Sequence, residues 1–228
     1  MSKKINSVLK EVLEKVAPPK NEFENIKESL DGFLEKLKDI DAEIFVGGSF
    51  AKKTMIRKDE YDVDVFVRFD KKYTDIEISN LVEKTLEKID GKAHSRIHGS
   101  RDYFRIKLKD NFSLELIPVI KVKNSGDARN LTDLSYSHVK YINKKIKDKK
   151  IIDKIMITKA FCYANKAYGA ESYINGFSGY SLELLVYYYG SFLKFIKSIV
   201  KIKPNEQVII DIEKHYKNKQ NILMDMNS

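Results

Sequence analysis

One nine-residue segment, YDVDVFVRF at residues 61–69, constrains the fold more than any other. Side chains on a β-strand alternate between two faces, so the alternating valines predict a strand with one apolar face. Asp62 and Asp64 then stand side by side on the other face. Two adjacent carboxylates repel each other unless a cation lies between them, and hard oxygen ligands suit Mg²⁺ or Mn²⁺. The alternative is the solvated face of an ordinary strand, because a lone Asp-x-Asp pattern is common.

The segment upstream of this strand has the composition of a phosphate-binding turn. AEIFV at residues 42–46 is typical of a short buried strand, and it is followed by Gly-Gly-Ser and FAKKT. Glycines let a phosphate approach the backbone, and the N–H groups at a helix start point towards it. Gly48, Ser49 and Lys52 are therefore candidate phosphate ligands. A simple turn without any ligand is the alternative interpretation.

A third carboxylate lies in FSLELIPVI, where Glu115 is flanked by two leucines and so projects from the opposite face of its strand. If this strand lies beside the strand of Asp62 and Asp64, three carboxylates come together. Such a trio is typical of two-metal phosphoryl transfer, in which one metal activates the attacking hydroxyl and the other stabilises the triphosphate.

Strand patterns dominate the first half of the chain and helical patterns the second. Apolar spacing predicts helices at residues 5–16, 23–38, 75–89, 134–146, 151–168 and 180–200. Strands are predicted at residues 42–46, 61–69, 103–109 and 112–122, the last two as an antiparallel hairpin across 109–111, and a strand-like run, QVIIDI, covers 207–212. The predicted fold class is α/β (α+β), with a mixed sheet followed by a helical region.

Charge and cysteine content indicate the partners and the cell compartment to expect for this protein. The net charge of +9 favours polyanionic partners such as nucleic acid. A single cysteine, Cys162, excludes an intramolecular disulfide and indicates a reducing compartment, so we expect a cytoplasmic protein. No apolar run approaches a membrane span, and we expect no membrane partner. The four histidines show no metal-ligand spacing. A basic run faces either RNA phosphates or solvent; it consists of Lys144, Lys145, Lys147, Lys149 and Lys150.

These motifs resemble those of known nucleotidyltransferases. Gly-Gly-Ser, then Asp62-Val-Asp64 thirteen residues after Ser49, then Glu115 in LELIP, resemble the DNA polymerase β-like nucleotidyltransferase superfamily. The segment KAFCYANKAYGAESYINGFSGYSLELLVYYYGSFLKFI at residues 159–196 is similar to the helical neck of the archaeal, class I CCA-adding enzymes. Together the two resemblances cover most of residues 40–200.

The resemblance implies a polymerase β-like palm at residues 1–128 and a helical, nucleotide-binding neck at residues 129–228. It implies transfer of CMP and AMP from CTP and ATP to the 3′ end of a tRNA or tRNA-like RNA, with two Mg²⁺ ions per active site. The implied metal ligands and catalytic residues are Asp62, Asp64 and Glu115. The implied nucleotide ligands are Gly48, Ser49, Lys52, Thr132, His138, Lys159 and Tyr168.

The chain departs from the family pattern at three points. The third carboxylate is usually aspartate, whereas Glu115 is one methylene longer. The family's Arg-Thr-Pro-x-His stretch appears as LTDLS at residues 131–135, so Thr132 matches and the histidine is missing unless His138 replaces it. The family's C-terminal body and tail have no counterpart in the sequence, which makes a separate C-terminal subunit one expected partner.

Two other functions are compatible with the same residues. The first keeps the chemistry but uses another acceptor, as in an oligonucleotide or cyclic-dinucleotide synthase or a toxin-type nucleotidyltransferase. The second is a non-catalytic RNA-binding subunit of a split enzyme. Three clustered carboxylates favour catalysis, because binding RNA alone gives no reason to gather negative charge beside it.

Overall fold

The structure is a computed structural model that describes residues 2–91, 93–109, 111–203 and 208–214. The chain divides into two compact units. One unit comprises residues 18–141 and holds the sheet, and the other comprises residues 1–17 together with 142–228 and is helical where it is described. We call them the sheet unit and the helical unit.

The sheet unit is built on five strands in the order β1-β2-β5-β4-β3. Strands β2 and β5 are parallel, and the other neighbours are antiparallel, so the sheet is mixed as predicted. The strands are β1 (Glu43–Val46), β2 (Tyr61–Phe69), β3 (His94–Ile97), β4 (Tyr103–Lys109) and β5 (Phe112–Ile120).

Two helices cover one face of this sheet. The valines of β2 are fully buried in a core that also contains apolar residues of α2 (Lys20–Lys36) and α4 (Asp75–Asp90). Helix α4 begins with a capping box between Thr74 and Glu77, and Gly91 closes it in the left-handed conformation. Because α2 and α4 cover the valine face, Asp62 and Asp64 project from the opposite face.

Three further short elements complete the sheet unit. A one-turn helix, α3 (Gly48–Ala51), connects β1 towards β2, and two 3-10 helices follow β5 at Ser125–Asp127 and Leu131–Leu134. Helix α5 (Ser135–Lys145) runs across the boundary between the units.

The helical unit packs around α6 (Lys149–Ala164), which contacts α1 (Ser2–Val16), α7 (Gly179–Tyr189) and α8 (Phe192–Ile199). Its core contains Cys162 and residues of α7, α8 and the segment 208–212. None of the helices within the described residues is long and apolar enough to cross a membrane.

The structure differs from the sequence prediction in three elements. A fifth strand, β3, lies at the sheet edge, and the predicted helix 180–200 is two helices because Gly190 ends α7 in the left-handed conformation. Residues 208–212 form no regular strand, so the strand-like interpretation of QVIIDI is wrong there. Asp110 in the predicted hairpin turn and residues 204–207 and 215–228, with His215, lie outside the described residues.

The compact units are residues 18–141 and residues 1–17 with 142–228, whereas the predicted domains are residues 1–128 and 129–228. Helix α1 belongs to the helical unit because it packs against α6. The sheet unit extends past residue 128 because Asp133 accepts a hydrogen bond of 3.0 Å from the backbone N–H of Ile120 at the end of β5.

Candidate active site

The three candidate carboxylates lie on two neighbouring parallel strands of the sheet unit. In the register of β2 and β5, Asp64 pairs with Glu115 and Asp62 pairs with Ser113. Residues paired across neighbouring strands project from the same face, so all three carboxylates share the face that α2 and α4 leave uncovered. The sequence predicted a carboxylate trio only if the two strands are neighbours, and β2 and β5 are neighbours.

Asp64 is the carboxylate most affected by its neighbours. Burial and the negative charge of Glu115 raise its pKa from 3.8 to about 6, and Asp62 adds to the effect. The positive charge of Lys52 opposes this rise. The carboxylates are therefore close enough to repel one another, and Lys52 is close enough to offset part of that repulsion.

The backbone of Gly48 packs directly on this carboxylate. Gly48 has a φ of 58°, and a Cβ atom added to it would lie 1.6 Å from Asp64 Oδ2. The N–H of Gly47 donates a hydrogen bond of 2.8 Å to the backbone carbonyl of Asp64. The Gly-Gly pair is thus required by the close approach of the turn to β2, and α3 carries Ser49 and leads into Lys52 beside Asp64.

Arg105 is a site residue that the sequence analysis missed. It pairs with Glu115 across β4 and β5, and its Nε and Nη2 donate hydrogen bonds of 3.2 and 2.6 Å to Glu115 Oε1. Its Nη2 also lies 3.7 Å from Asp62 Oδ1. The sequence predicted YFRIKLK as the hairpin partner of the Glu115 strand, but not the register that places Arg105 opposite Glu115.

The donor set fits a divalent cation in its chemistry. Three carboxylates on one face, one of them with a raised pKa, form an anionic site of the kind that Mg²⁺ and Mn²⁺ prefer. Within the residues that the structure describes, however, no three His, Cys, Asp or Glu residues form a group ready to hold a metal ion. Arg105 already holds one oxygen of Glu115 through two hydrogen bonds.

Thr132 and His138 follow β5 in the same unit as the carboxylates. Thr132 lies in the second 3-10 helix, where its Oγ1 donates to the side chain of Asn130 over 3.1 Å. His138 is half-buried on α5. Their role as nucleotide ligands stays a prediction.

Lys159 and Tyr168 come together in the helical unit. Lys159 is 2% exposed, and its Nζ donates a hydrogen bond of 2.7 Å to Glu183 Oε1. A Cβ atom added to Gly179 would lie 2.8 Å from the Tyr168 hydroxyl and 3.7 Å from Lys159 Nζ. The second glycine of GFSGY therefore admits both side chains, and Glu183 is a partner that the sequence analysis did not identify.

Two protein-family models match different parts of the chain. Residues 3–151, more than half of the chain, match the model described as Second Messenger Oligonucleotide or Dinucleotide Synthetase domain. The chain belongs to this family of nucleotidyltransferases. Residues 153–226 match a second model, described as tRNA nucleotidyltransferase, second domain.

Relatives of this nucleotidyltransferase include CCA-adding enzymes from archaea. The CCA-adding enzyme of Nanoarchaeum equitans is 38% identical over 211 residues, covering 90% of this chain and 50% of that enzyme. The CCA-adding enzyme of Sulfurisphaera tokodaii is 31% identical over 201 residues, covering 87% of this chain and 47% of that enzyme. The chain thus spans about half the length of the curated relatives it matches. The resemblance drawn from residues 40–200 is confirmed.

Solved structures confirm the fold of this nucleotidyltransferase. A cytoplasmic RNA terminal U-transferase superposes with a TM-score of 0.61 at 18% identity, covering 82% of this chain and 53% of that chain. The Cid1 poly(U) polymerase with Mg 3′-dATP bound gives a TM-score of 0.63 at 17% identity, covering 83% and 56%. The fold is polymerase β-like, as the resemblance implied.

Proposed function

We propose that this nucleotidyltransferase adds CMP and AMP from CTP and ATP to the 3′ end of a tRNA, which is CCA addition. The observation that carries the proposal is the register of Asp64 with Glu115, next to Asp62 and directly beneath the backbone of Gly48. The CCA-adding relatives, which match about nine tenths of the chain, support tRNA as the acceptor.

Asp62, Asp64 and Glu115 would hold Mg²⁺, with two ions per active site as the proposed number. When bound, Mg²⁺ supplies activation of the attacking 3′-hydroxyl and neutralises charge on the triphosphate. Asp64 is mostly ionised at neutral pH because its pKa of about 6 lies below it, so its carboxylate is available to a cation.

The chain's other site residues would bind and orient the nucleotide. In this proposal, backbone N–H groups around Gly48, with Ser49 and Lys52, contact the triphosphate, because the turn lies beside Asp64. The remaining proposed nucleotide ligands are Thr132, His138, Lys159 and Tyr168. Glu183 then sets the orientation of the Lys159 ammonium through their hydrogen bond.

The test is transfer of labelled CMP or AMP to tRNA that lacks its 3′ CCA, in the presence of Mg²⁺. We expect label in the tRNA with the natural chain and none with Asp62→Ala/Asp64→Ala. The matched control, Asp41→Ala/Asp59→Ala, removes two exposed carboxylates and should keep full transfer. Equal transfer by the two double variants would refute the catalytic assignment. If the chain binds tRNA but does not extend it, a separate C-terminal subunit becomes the expected partner.

The match of residues 3–151 to a synthetase of second messenger oligonucleotides or dinucleotides favours one other function. In that case the acceptor is a second nucleotide and not tRNA. Incubation with mixed nucleoside triphosphates in the absence of RNA, followed by product analysis, separates the two. Oligonucleotides or cyclic dinucleotides formed without RNA would favour this second function. RNA binding without turnover in either assay, and without any binding of Mn²⁺ by the chain, would favour a non-catalytic subunit.

A further inference from the structure

Arg105 bridges two of the three carboxylates. Its Nε and Nη2 both donate to the same oxygen of Glu115, and Nη2 lies 3.7 Å from an oxygen of Asp62. The side chain is 43% exposed and comes from β4, so it reaches the carboxylates from the strand beyond β5. One guanidinium therefore joins side chains from two strands on the catalytic face.

This arrangement has an electrostatic cause. Asp62, Asp64 and Glu115 repel one another, and the repulsion contributes to the raised pKa of Asp64. A guanidinium between Glu115 and Asp62 relieves part of that repulsion without a metal ion. The hydrogen bond that Arg105 donates to Glu115 also raises the pKa of Arg105, and a guanidinium stays charged in proteins.

We propose that Arg105 is a built-in counter-ion that occupies Glu115 and Asp62 in the metal-free protein and must release Glu115 when a divalent cation binds. We call this interaction the Arg105 latch. The inference rests on the proposed function, because that function requires the cation. Arg105 holds one oxygen of Glu115 through two hydrogen bonds, so in this proposal that oxygen leaves Arg105 when the three carboxylates bind the cation together.

The latch has a measurable consequence for metal affinity. A cation that displaces Arg105 binds more weakly than it would to the same carboxylates without the latch. Breaking the latch in advance should therefore tighten metal binding. A residue that merely holds Glu115 in a productive orientation would give the opposite result, because its loss weakens metal binding.

The experiment is a titration of the full chain with Mn²⁺ alone, in which free Mn²⁺ is measured by electron paramagnetic resonance. We expect Arg105→Ala to bind Mn²⁺ about fivefold more tightly than the natural chain, the size expected for a partly exposed ion pair. Arg105→Gln, which keeps the length of the side chain but removes its charge, should show the same gain.

The matched control is Lys107→Ala. Lys107 is an exposed cation on the same strand and face, but it pairs with Ser113 in the sheet register and not with Glu115. Its removal should change Mn²⁺ affinity less than about twofold, because Lys107 does not pair with Glu115 and its exposed charge is screened by solvent ions. A gain equal to that of Arg105→Ala would show a general charge effect and overturn the latch.

A double-variant cycle tests whether Arg105 acts through Glu115. In a Glu115→Gln background Arg105 has lost its hydrogen-bonded carboxylate and keeps only the longer, 3.7 Å contact with Asp62, so adding Arg105→Ala should change Mn²⁺ affinity less than about twofold. An undiminished fivefold gain in that background, or unchanged or weaker binding by Arg105→Ala alone, would overturn the latch.

The transfer assay tests the proposed function, and the Mn²⁺ titration tests the Arg105 latch. If the natural chain transfers nucleotides while Arg105→Ala and the natural chain bind Mn²⁺ equally, the latch fails and the proposed function stands. If the natural chain neither binds Mn²⁺ nor transfers nucleotides, the proposed function and the latch fail together.

Discussion

Gly48 shows how one residue type determines the geometry of the candidate site. It combines a φ of 58° with a Cα hydrogen that points at the Asp64 carboxylate, where an added Cβ would lie 1.6 Å from Oδ2. Only glycine satisfies both conditions, because other L residues disfavour this backbone conformation and carry the Cβ that would collide.

We expect Gly48→Ala to lower the free energy of unfolding by about 1–3 kcal/mol and to reduce nucleotide transfer about a hundredfold, because Asp64 must move. Urea denaturation and the transfer assay measure the two effects. The control is Gly32→Ala on helix α2, where an added Cβ meets nothing within 4 Å. That variant should be as stable as the natural chain or more stable by up to about 1 kcal/mol. A Gly48→Ala variant that behaves like this control would disprove the close contact.

At the scale of elements, the central strands were predictable because their two faces differ so strongly. YDVDVFVRF became β2 with the predicted bounds, and β4 and β5 formed the predicted hairpin. Apolar valines on one face and carboxylates on the other specify both the strand and its orientation. For the same reason, the projection of Asp62 and Asp64 from one face followed from their spacing, whereas their meeting with Glu115 depended on the pairing of β2 with β5.

Other features could not be predicted because they depend on contacts between distant segments. Strand β3 has four residues, too few for an alternating pattern to emerge from its charged neighbours. The contact of Arg105 with Glu115 depends on the register across the β4–β5 hairpin, which a sequence pattern leaves open by one or two residues. Placement of α1 with α6 likewise requires the packing of helices far apart in the chain.

Helices α6 and α7 are joined by the buried ion pair between Lys159 and Glu183. Both side chains are at most 2% exposed, and their charged atoms lie 2.7 Å apart. Replacing one partner leaves the other charge buried without its counter-charge, whereas replacing both by apolar residues restores an apolar contact. Variants of this pair therefore show whether Lys159 has a structural role or binds the nucleotide.

We expect Lys159→Met to lower the free energy of unfolding by about 3–5 kcal/mol and Lys159→Met/Glu183→Leu to recover most of that loss. Chemical denaturation gives both values. Lys10→Met, which breaks an exposed pair with Glu14 on α1, should change stability by less than about 1 kcal/mol. If the recovered double variant also binds CTP and ATP normally, Lys159 is a structural residue and not a nucleotide ligand.

For the whole molecule, the net charge of +9 predicts RNA binding that depends strongly on salt. A protein that neutralises RNA phosphates releases counterions, so its affinity falls steeply as salt rises. Among the candidates for these contacts are three exposed lysines of the basic run around the start of α6, namely Lys144, Lys147 and Lys150. A solvated helix end has the same composition, so the charge pattern does not distinguish the two roles.

Replacing these three lysines with alanine distinguishes RNA contact from a solvated helix end. If they contact RNA, the slope of log affinity for tRNA against log salt should become shallower by about 2–3, close to one unit per lost phosphate contact. The control replaces three exposed lysines of α2 and α4, Lys27, Lys36 and Lys88, and lowers the net charge equally. Fluorescence anisotropy with labelled tRNA at several salt concentrations measures both slopes. Equal changes in the two triple variants would mean that net charge alone drives RNA binding. A change confined to the first variant would identify the basic run as part of the RNA interface, because only direct phosphate contacts release counterions locally.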